Sequence, residues 1–168
     1  LCFNYFKDRL ARFYGTVVIE EIKTIDGISI YRTTGHHGFG QIGQMMGPVS
    51  GYVLKAEGFP TVYIMGDCRW EACIRDTVER FNPDYIVVNS GGAIFPEFSK
   101  TDGPIIPDEN EVMQILDELP SHIKLIAVHM DAIDHCQTTR AILRNEATHH
   151  EADMSRLIIP EDGETVVL

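Results

Sequence analysis

Two short apolar stretches constrain the fold of this chain more than any other feature. Tyr85-Ile-Val-Val-Asn89 and Lys124-Leu-Ile-Ala-Val128 have the composition and length of buried strands. Between them, Asp108 can cap a helix over residues 109–119, whose apolar side chains recur at helical spacing. A strand, a helix and a strand in this order form a parallel crossover. The sequence therefore predicts an α/β domain.

Further elements are predicted on both sides of this crossover. Two hairpins, the first turning at Asp26-Gly27, involve strands 16–22, 28–33, 51–56 and 61–65. Two more helices are predicted over residues 71–81 and about 138–146. A last hairpin is predicted to turn at Asp162-Gly163. Neither an internal repeat nor a low-complexity linker interrupts the pattern, so we expect one layered domain over residues 1–168.

Three of the predicted strands run in the same direction, and each is followed by a possible metal ligand. The ligands are His37, with His36 as its neighbour, Asp67 and His129. Sites in α/β sheets favour the carboxyl ends of strands. Imidazole nitrogen and carboxylate oxygen are normal ligands for zinc, manganese or iron. The topology therefore predicts a metal site at one sheet edge.

The glycines after His37 allow a second interpretation. Gly38-x-Gly40-x-x-Gly43 has the spacing of a dinucleotide-binding loop, which also needs a helix at the third glycine and an acidic residue about 20 positions further on. Residues 41–46 are too few for the expected helix, and Tyr63 stands near the position of the acid. We therefore interpret the glycines as a tight loop that positions a histidine.

Composition excludes some classes of partner. The formal net charge is −11 and the basic residues form no stripe, so we do not expect a nucleic-acid partner. The sequence contains no run of 18 apolar residues, so a membrane span is not indicated. Four cysteines without framework spacing predict reduced thiols in a cytoplasmic protein.

Several segments share a pattern with one known family. They are Gly35-His-His-Gly38, Met46-Gly-Pro-Val-Ser-Gly-Tyr-Val53, Val62-Tyr-Ile-Met-Gly-Asp-Cys-Arg-Trp70, Val87-Val-Asn-Ser-Gly-Gly-Ala93 and Ala127-Val-His-Met-Asp-Ala-Ile-Asp-His-Cys136. In this order, between about residues 28 and 145, they resemble the later motifs of the metallo-β-lactamase superfamily. The likeness is greatest to its bacterial metal-dependent hydrolases of undefined substrate.

This resemblance implies an αβ/βα sandwich with a dinuclear metal site at one sheet edge. His37 matches the histidine of the third motif, with His36 as the alternative, and Asp67 matches the carboxylate that bridges two metal ions. His129 matches the last histidine ligand. The implied cofactors are two divalent ions, zinc first, with manganese or iron as alternatives. The implied reaction is hydrolysis of an ester, lactone or amide in a small molecule.

The sequence departs from the family at its main signature. His-x-His-x-Asp-His is absent, and residues 1–35 contain no histidine. We favour a domain that is incomplete at its N-terminus, whose exposed half is covered by a partner segment or a second copy. The alternative is a degenerate, metal-free domain that acts in assembly. Taken alone, the two histidines and Asp67 would also match a mononuclear iron site.

Other residues near the predicted edge have two interpretations each. Cys68, where the family often has Thr, could be a soft ligand or a small packing residue. His135 could orient a metal ligand or cap the following helix. The loop that contains Asn89, Gly91 and Gly92 could donate N–H groups to substrate, or the glycines could simply allow a sharp turn.

Overall fold

The computed structural model describes residues 19–97 and 102–168. One sheet contains seven strands, which are β1 (Ile22–Ile25), β2 (Ile28–His36), β3 (Pro48–Lys55), β4 (Val62–Ile64), β5 (Tyr85–Asn89), β6 (Lys124–Val128) and β7 (Leu157–Ile158). The helices in these ranges are α1 (Gly40–Met46), α2 (Ala72–Phe81), α3 (Glu109–Glu118) and α4 (Arg140–His149). This mixed α/β architecture confirms the predicted fold class.

The strands lie in the sheet in their chain order. Strands β1 to β4 are joined as antiparallel neighbours, whereas β4 to β7 are parallel. Helices α2, α3 and α4 make the three parallel connections. Strands β2, β4, β5 and β6 consequently point the same way, as predicted, and their carboxyl ends share one edge.

The main core lies between one face of the sheet and the helices. Tyr63, Ile86 and Leu125 on this face are fully buried. They belong to one apolar cluster with Ile74 of α2 and Leu143 of α4. Complete burial of an aliphatic side chain of this size stabilises the fold by about 1.5–3 kcal/mol. This packing stabilises the sheet whose strand ends carry the predicted ligands.

The opposite face of the sheet is less completely covered. Tyr52, Ile64 and Val87 lie side by side on adjacent strands. Ile64 is 37% exposed, and the other two are half-buried. Alternation along each strand places these side chains away from the main core. The sheet thus has one fully packed face and one partly open apolar face.

The first strand differs from its prediction. It covers Ile22–Ile25, whereas residues 16–22 were predicted and residues 16–18 lie outside the described ranges. Asp26 and Gly27 both have positive φ, 49° and 83°, as a two-residue hairpin turn requires. Such a turn pairs Ile25 directly with Ile28, so the strand must continue right up to it. The turn was predicted correctly, but the strand was placed too early.

Two further predictions were wrong. Residues 40–46 form a helix, because Ile42 packs in a small apolar cluster and its N–H donates to the Asp102 carboxylate over 3.0 Å. Asp102 is distant in sequence, so this support could not be anticipated. After the turn at Asp162-Gly163, residues 164–168 do not form the predicted strand. Residues 157–158 instead pair in parallel with β6.

Within the described ranges, no helix is both long and apolar enough to cross a lipid bilayer. Cys68, Cys73 and Cys136 are all free thiols.

Candidate metal centre

Three strand ends bring the predicted ligands to one edge of the sheet. His37 directly follows β2, and His129 directly follows β6. Asp67 lies three residues beyond β4, after Gly66 with its positive φ of 68°. A Cβ on Gly66 would lie 2.8 Å from the Ser50 carbonyl oxygen, so only glycine allows the chain to turn there without strain.

His37 is close enough to both other residues to be influenced by their charges. Burial lowers the pKa of His37, the Asp67 carboxylate opposes this shift, and His129 lowers the pKa further. A lowered pKa favours the neutral imidazole, which is the form that binds metal. His37 therefore lies within electrostatic range of both Asp67 and His129 at this edge of the sheet.

His129 has an unusual backbone conformation. Its φ is 65°, in the left-handed region that a residue other than glycine rarely adopts, and Asp131 follows with φ of 61°. Arg140 holds this turn, since its Nη1 donates to Asp131 Oδ2 over 2.8 Å and its backbone N–H donates to the same oxygen over 3.1 Å. Strained residues held by their surroundings cluster at functional sites. The exposed His129 ring is therefore presented by a fixed turn.

The two adjacent histidines point to different surroundings. The His36 side chain is 68% exposed, and its Nδ1 lies 2.8 and 2.9 Å from the two carboxylate oxygens of Glu71. Its backbone N–H donates to the same carboxylate over 2.8 Å. His37 is half-buried beside Asp67 and His129. His37 is thus the better placed of the two alternatives.

This difference predicts contrasting effects of two matched substitutions. His37→Ala should lower bound zinc per chain by more than half, because it removes an imidazole from the edge. His36→Ala should leave bound zinc unchanged, because that ring is already paired with Glu71. Elemental analysis of both purified variants measures this directly. Equal loss in both variants would contradict the assignment.

Asn89 interacts with a predicted ligand. Its side-chain Nδ2 donates to Asp67 Oδ1 over 2.6 Å. Both residues are half-buried. Asn89 ends β5 and Asp67 follows the neighbouring parallel strand β4, where Ile64 pairs with Val87. The side chain of Asn89, a candidate substrate-binding residue, is therefore bonded to the Asp67 carboxylate.

The loop after Asn89 has few N–H groups left for an oxyanion. The N–H of Gly92 donates to the Pro107 carbonyl over 2.9 Å, and that of Ser90 donates to Val128 over 2.9 Å. Gly91 and Gly92 are buried. A Cβ on Gly91 would lie 2.4 Å from the His129 carbonyl oxygen and 2.7 Å from Cys136 Sγ. Close packing thus accounts for Gly91, which is a different reason from the sharp turn considered in the sequence analysis.

The two other candidate residues have packing contacts. Cys68 is fully buried, and burial raises the pKa of its thiol to about 12, which disfavours the thiolate that binds metals. Its Sγ would lie 2.5 Å from a Cβ on Gly35, so it fills space beside β2. The His135 ring stacks on Phe95, with ring centroids 5.3 Å apart. Neither contact is with a predicted ligand.

Two residues near the edge were not assigned from sequence. Glu71 binds His36, and Cys136 Sγ lies 3.8 Å from Nδ1 of His129. Glu71 lies 35 positions from its partner, so spacing gave no signal. Cys136 lies seven positions after His129 in a non-helical loop, where sequence distance does not predict contact.

The donor set can be compared with the needs of a metal ion. Two imidazoles and one carboxylate are suitable in kind for zinc. However, among residues 19–97 and 102–168 no three His, Cys, Asp or Glu side chains are grouped closely enough to hold an ion. These residues are therefore of the right chemical kind for a metal ion, but within the described ranges they do not form a complete ligand group by themselves.

Several known proteins resemble this chain in sequence or in fold. No family model matches the chain. UPF0173 protein YddR of Bacillus subtilis is 31% identical over 155 residues, which are 91% of this chain and 58% of that protein. The structure of a possible metal-dependent hydrolase from Veillonella parvula superimposes with a TM-score of 0.86 and 28% identity, covering 99% of this chain and 65% of that one.

Two other solved structures extend the comparison. An isothiocyanate hydrolase from Delia radicum gut bacteria has a TM-score of 0.82 and 32% identity, over 95% of this chain and 62% of that chain. The metallo-β-lactamase fold protein YhfI of Bacillus subtilis has a TM-score of 0.57 and 15% identity, over 92% of this chain and 57% of that chain. The chain thus spans less than two thirds of the length of each of these relatives.

Sheet order, helix placement and these superpositions define the class of protein as the metallo-β-lactamase fold. Within this fold, the chain is similar to metal-dependent hydrolases, in agreement with the resemblance of its sequence motifs to the metallo-β-lactamase superfamily.

Proposed function

We propose that this chain carries part of the metal centre of a metal-dependent hydrolase that acts on a small molecule. The main observation behind this proposal is that His37, Asp67 and His129 follow the carboxyl ends of β2, β4 and β6 at one edge of the sheet. The similarity to a possible metal-dependent hydrolase supports the same reaction type. In this proposal His37, Asp67 and His129 would help to hold two divalent ions, with zinc as the first choice.

A bound metal ion would supply Lewis acidity and lower the pKa of a coordinated water molecule toward about 7. The chain's own residues would hold and orient it. His37 offers a neutral imidazole, Asp67 offers an oxygen fixed from one side by Asn89, and His129 is presented by a rigid turn. The remaining ligands would come from a partner segment or a second copy.

We propose that the substrate is an uncharged ester, lactone or amide, in which the carbonyl carbon is the electrophile. The similarity to an isothiocyanate hydrolase adds the isothiocyanate group to this range. The net charge of −11 disfavours polyanionic substrates.

The partly open apolar face around Ile64 and Val87 supports a partner segment or second copy that covers it. The free cysteines support a reducing, cytoplasmic location.

Hydrolysis can be tested with a panel of uncharged substrates. We would assay 4-nitrophenyl acetate, a short-chain lactone, a 4-nitroanilide and benzyl isothiocyanate with zinc-loaded protein. The proposal expects hydrolysis of at least one compound, its loss after chelation, and its return with zinc. Asp67→Ala and His129→Ala should each reduce it to the rate in buffer while the fold is retained. Activity that persists in both variants would contradict the proposal.

The competing candidate is a metal-free domain that acts in assembly. Within the described ranges, no three His, Cys, Asp or Glu side chains are grouped closely enough to hold a metal ion, and this favours the metal-free candidate. It expects a melting temperature that does not change with chelator or zinc, and a dimer or larger species in solution. A ligand that binds only the folded state raises its stability, so stabilisation of a monomer by zinc would contradict this candidate.

A further inference from the structure

We infer that Asn89 is a positioning residue for Asp67: its amide holds one carboxylate oxygen and leaves the other for metal. This inference rests on the proposed function. It replaces the sequence-based hypothesis that Asn89 binds substrate. The contact that supports it is the hydrogen bond of 2.6 Å that Asn89 Nδ2 donates to Asp67 Oδ1.

The backbone explains why these two side chains meet. Strands β4 and β5 are parallel neighbours, with Ile64 opposite Val87, and the N–H of Met65 still donates to the Val87 carbonyl over 2.9 Å. The chain then turns at Gly66, whose φ of 68° ends the strand pairing. Asp67 is thereby brought close to the end of β5, where Asn89 is the last residue.

Chemistry makes the amide a suitable partner. A hydrogen bond to a charged acceptor is stronger than one between neutral groups. An amide N–H adds no second negative charge beside the carboxylate, unlike Asp or Glu. Asp67 can thus be held in one rotamer before metal binds, and the ordering cost on binding is reduced. Partners that orient a metal ligand are worth about 10–100-fold in metal affinity.

The test measures zinc affinity by competition with a chromophoric chelator. Asn89→Leu keeps a similar volume but removes the donor, and Asn89→Ser is a smaller second variant in case the first does not fold. Asn110→Leu is the matched control, because Asn110 is exposed and its amide donates to its neighbour Glu109 over 3.4 Å, away from the proposed ligands. We expect zinc affinity to fall about 10–100-fold in both Asn89 variants and to stay unchanged in the control.

The possible outcomes separate this inference from the proposed function. Wild-type protein that binds zinc, with unchanged affinity in Asn89→Leu, would overturn the positioning role alone. An Asn89 variant with normal zinc affinity but a raised KM would instead assign Asn89 to substrate binding. Wild-type protein that binds no zinc would overturn the proposed function together with this inference.

Discussion

Arg69→Met is expected to lower the free energy of unfolding by about 3–5 kcal/mol, because it removes one partner of a buried ion pair. Arg69 Nε lies 2.6 Å from Glu111 Oε2, and the two side chains are 15% and 8% exposed. Glu111 also accepts the backbone N–H of Trp70 over 2.6 Å. Burial raises the pKa of Glu111, and Arg69 opposes this shift. Without Arg69, a buried carboxylate loses its counter-charge.

Urea unfolding at neutral pH measures this change. Arg75→Met is the matched control, since Arg75 pairs with Glu118 over 2.7 Å but the two side chains are 40% and 35% exposed. Exposed pairs contribute at most about 1 kcal/mol, so the control should be only slightly destabilised. The loss in free energy of unfolding caused by Arg69→Met should become smaller as the pH falls toward the ordinary pKa range of a carboxyl group. Protonation of Glu111 then removes the buried charge. Equal effects of the two substitutions would contradict the argument.

Gly91→Ala is expected to damage both stability and metal binding. The added Cβ would lie 2.4 Å from the His129 carbonyl oxygen and 2.7 Å from Cys136 Sγ, so backbone must move. Overpacking of this kind costs about 1–3 kcal/mol, and the backbone contact favours the upper end. Because the movement displaces the turn that presents His129, zinc affinity should fall as well.

Gly58→Ala serves as a control for the general cost of replacing glycine. Gly58 has a positive φ of 77°, but a Cβ there would meet nothing within 4 Å. This variant should lose about 1–2 kcal/mol from backbone strain and keep normal zinc affinity. Thermal unfolding and zinc titration on both variants separate the two effects. A Gly91→Ala protein with unchanged zinc affinity would contradict the link between Gly91 and His129.

Most of the fold could be predicted from local sequence signals. Strands Tyr85–Asn89 and Lys124–Val128 are short apolar runs whose ends are marked by polar or turn residues, and both were placed correctly. The helix that begins at Glu109 has its predicted cap, since the N–H of Glu111 donates to Asp108 over 2.9 Å. Helix Gly40–Met46 could not be predicted, because it depends on Asp102, which is distant in sequence.

The site was only partly predictable for a similar reason. Strand direction alone placed His37, Asp67 and His129 at one edge, because topology does not depend on side-chain detail. The family resemblance favoured His37 over His36, and the contact between His36 and Glu71 that supports this preference is a tertiary contact. The role of Asn89 likewise depends on a bond to Asp67 across two strands. Neither contact leaves a pattern in the local sequence.

The most direct test of the central claim is the number of metal ions per chain. It can be measured by inductively coupled plasma mass spectrometry on protein purified without chelator or nickel affinity resin. The account predicts at least one divalent ion per chain in the wild type, and clear loss of metal in folded Asp67→Ala and His129→Ala. A metal-free wild type, or variants that retain the full metal content, would contradict it.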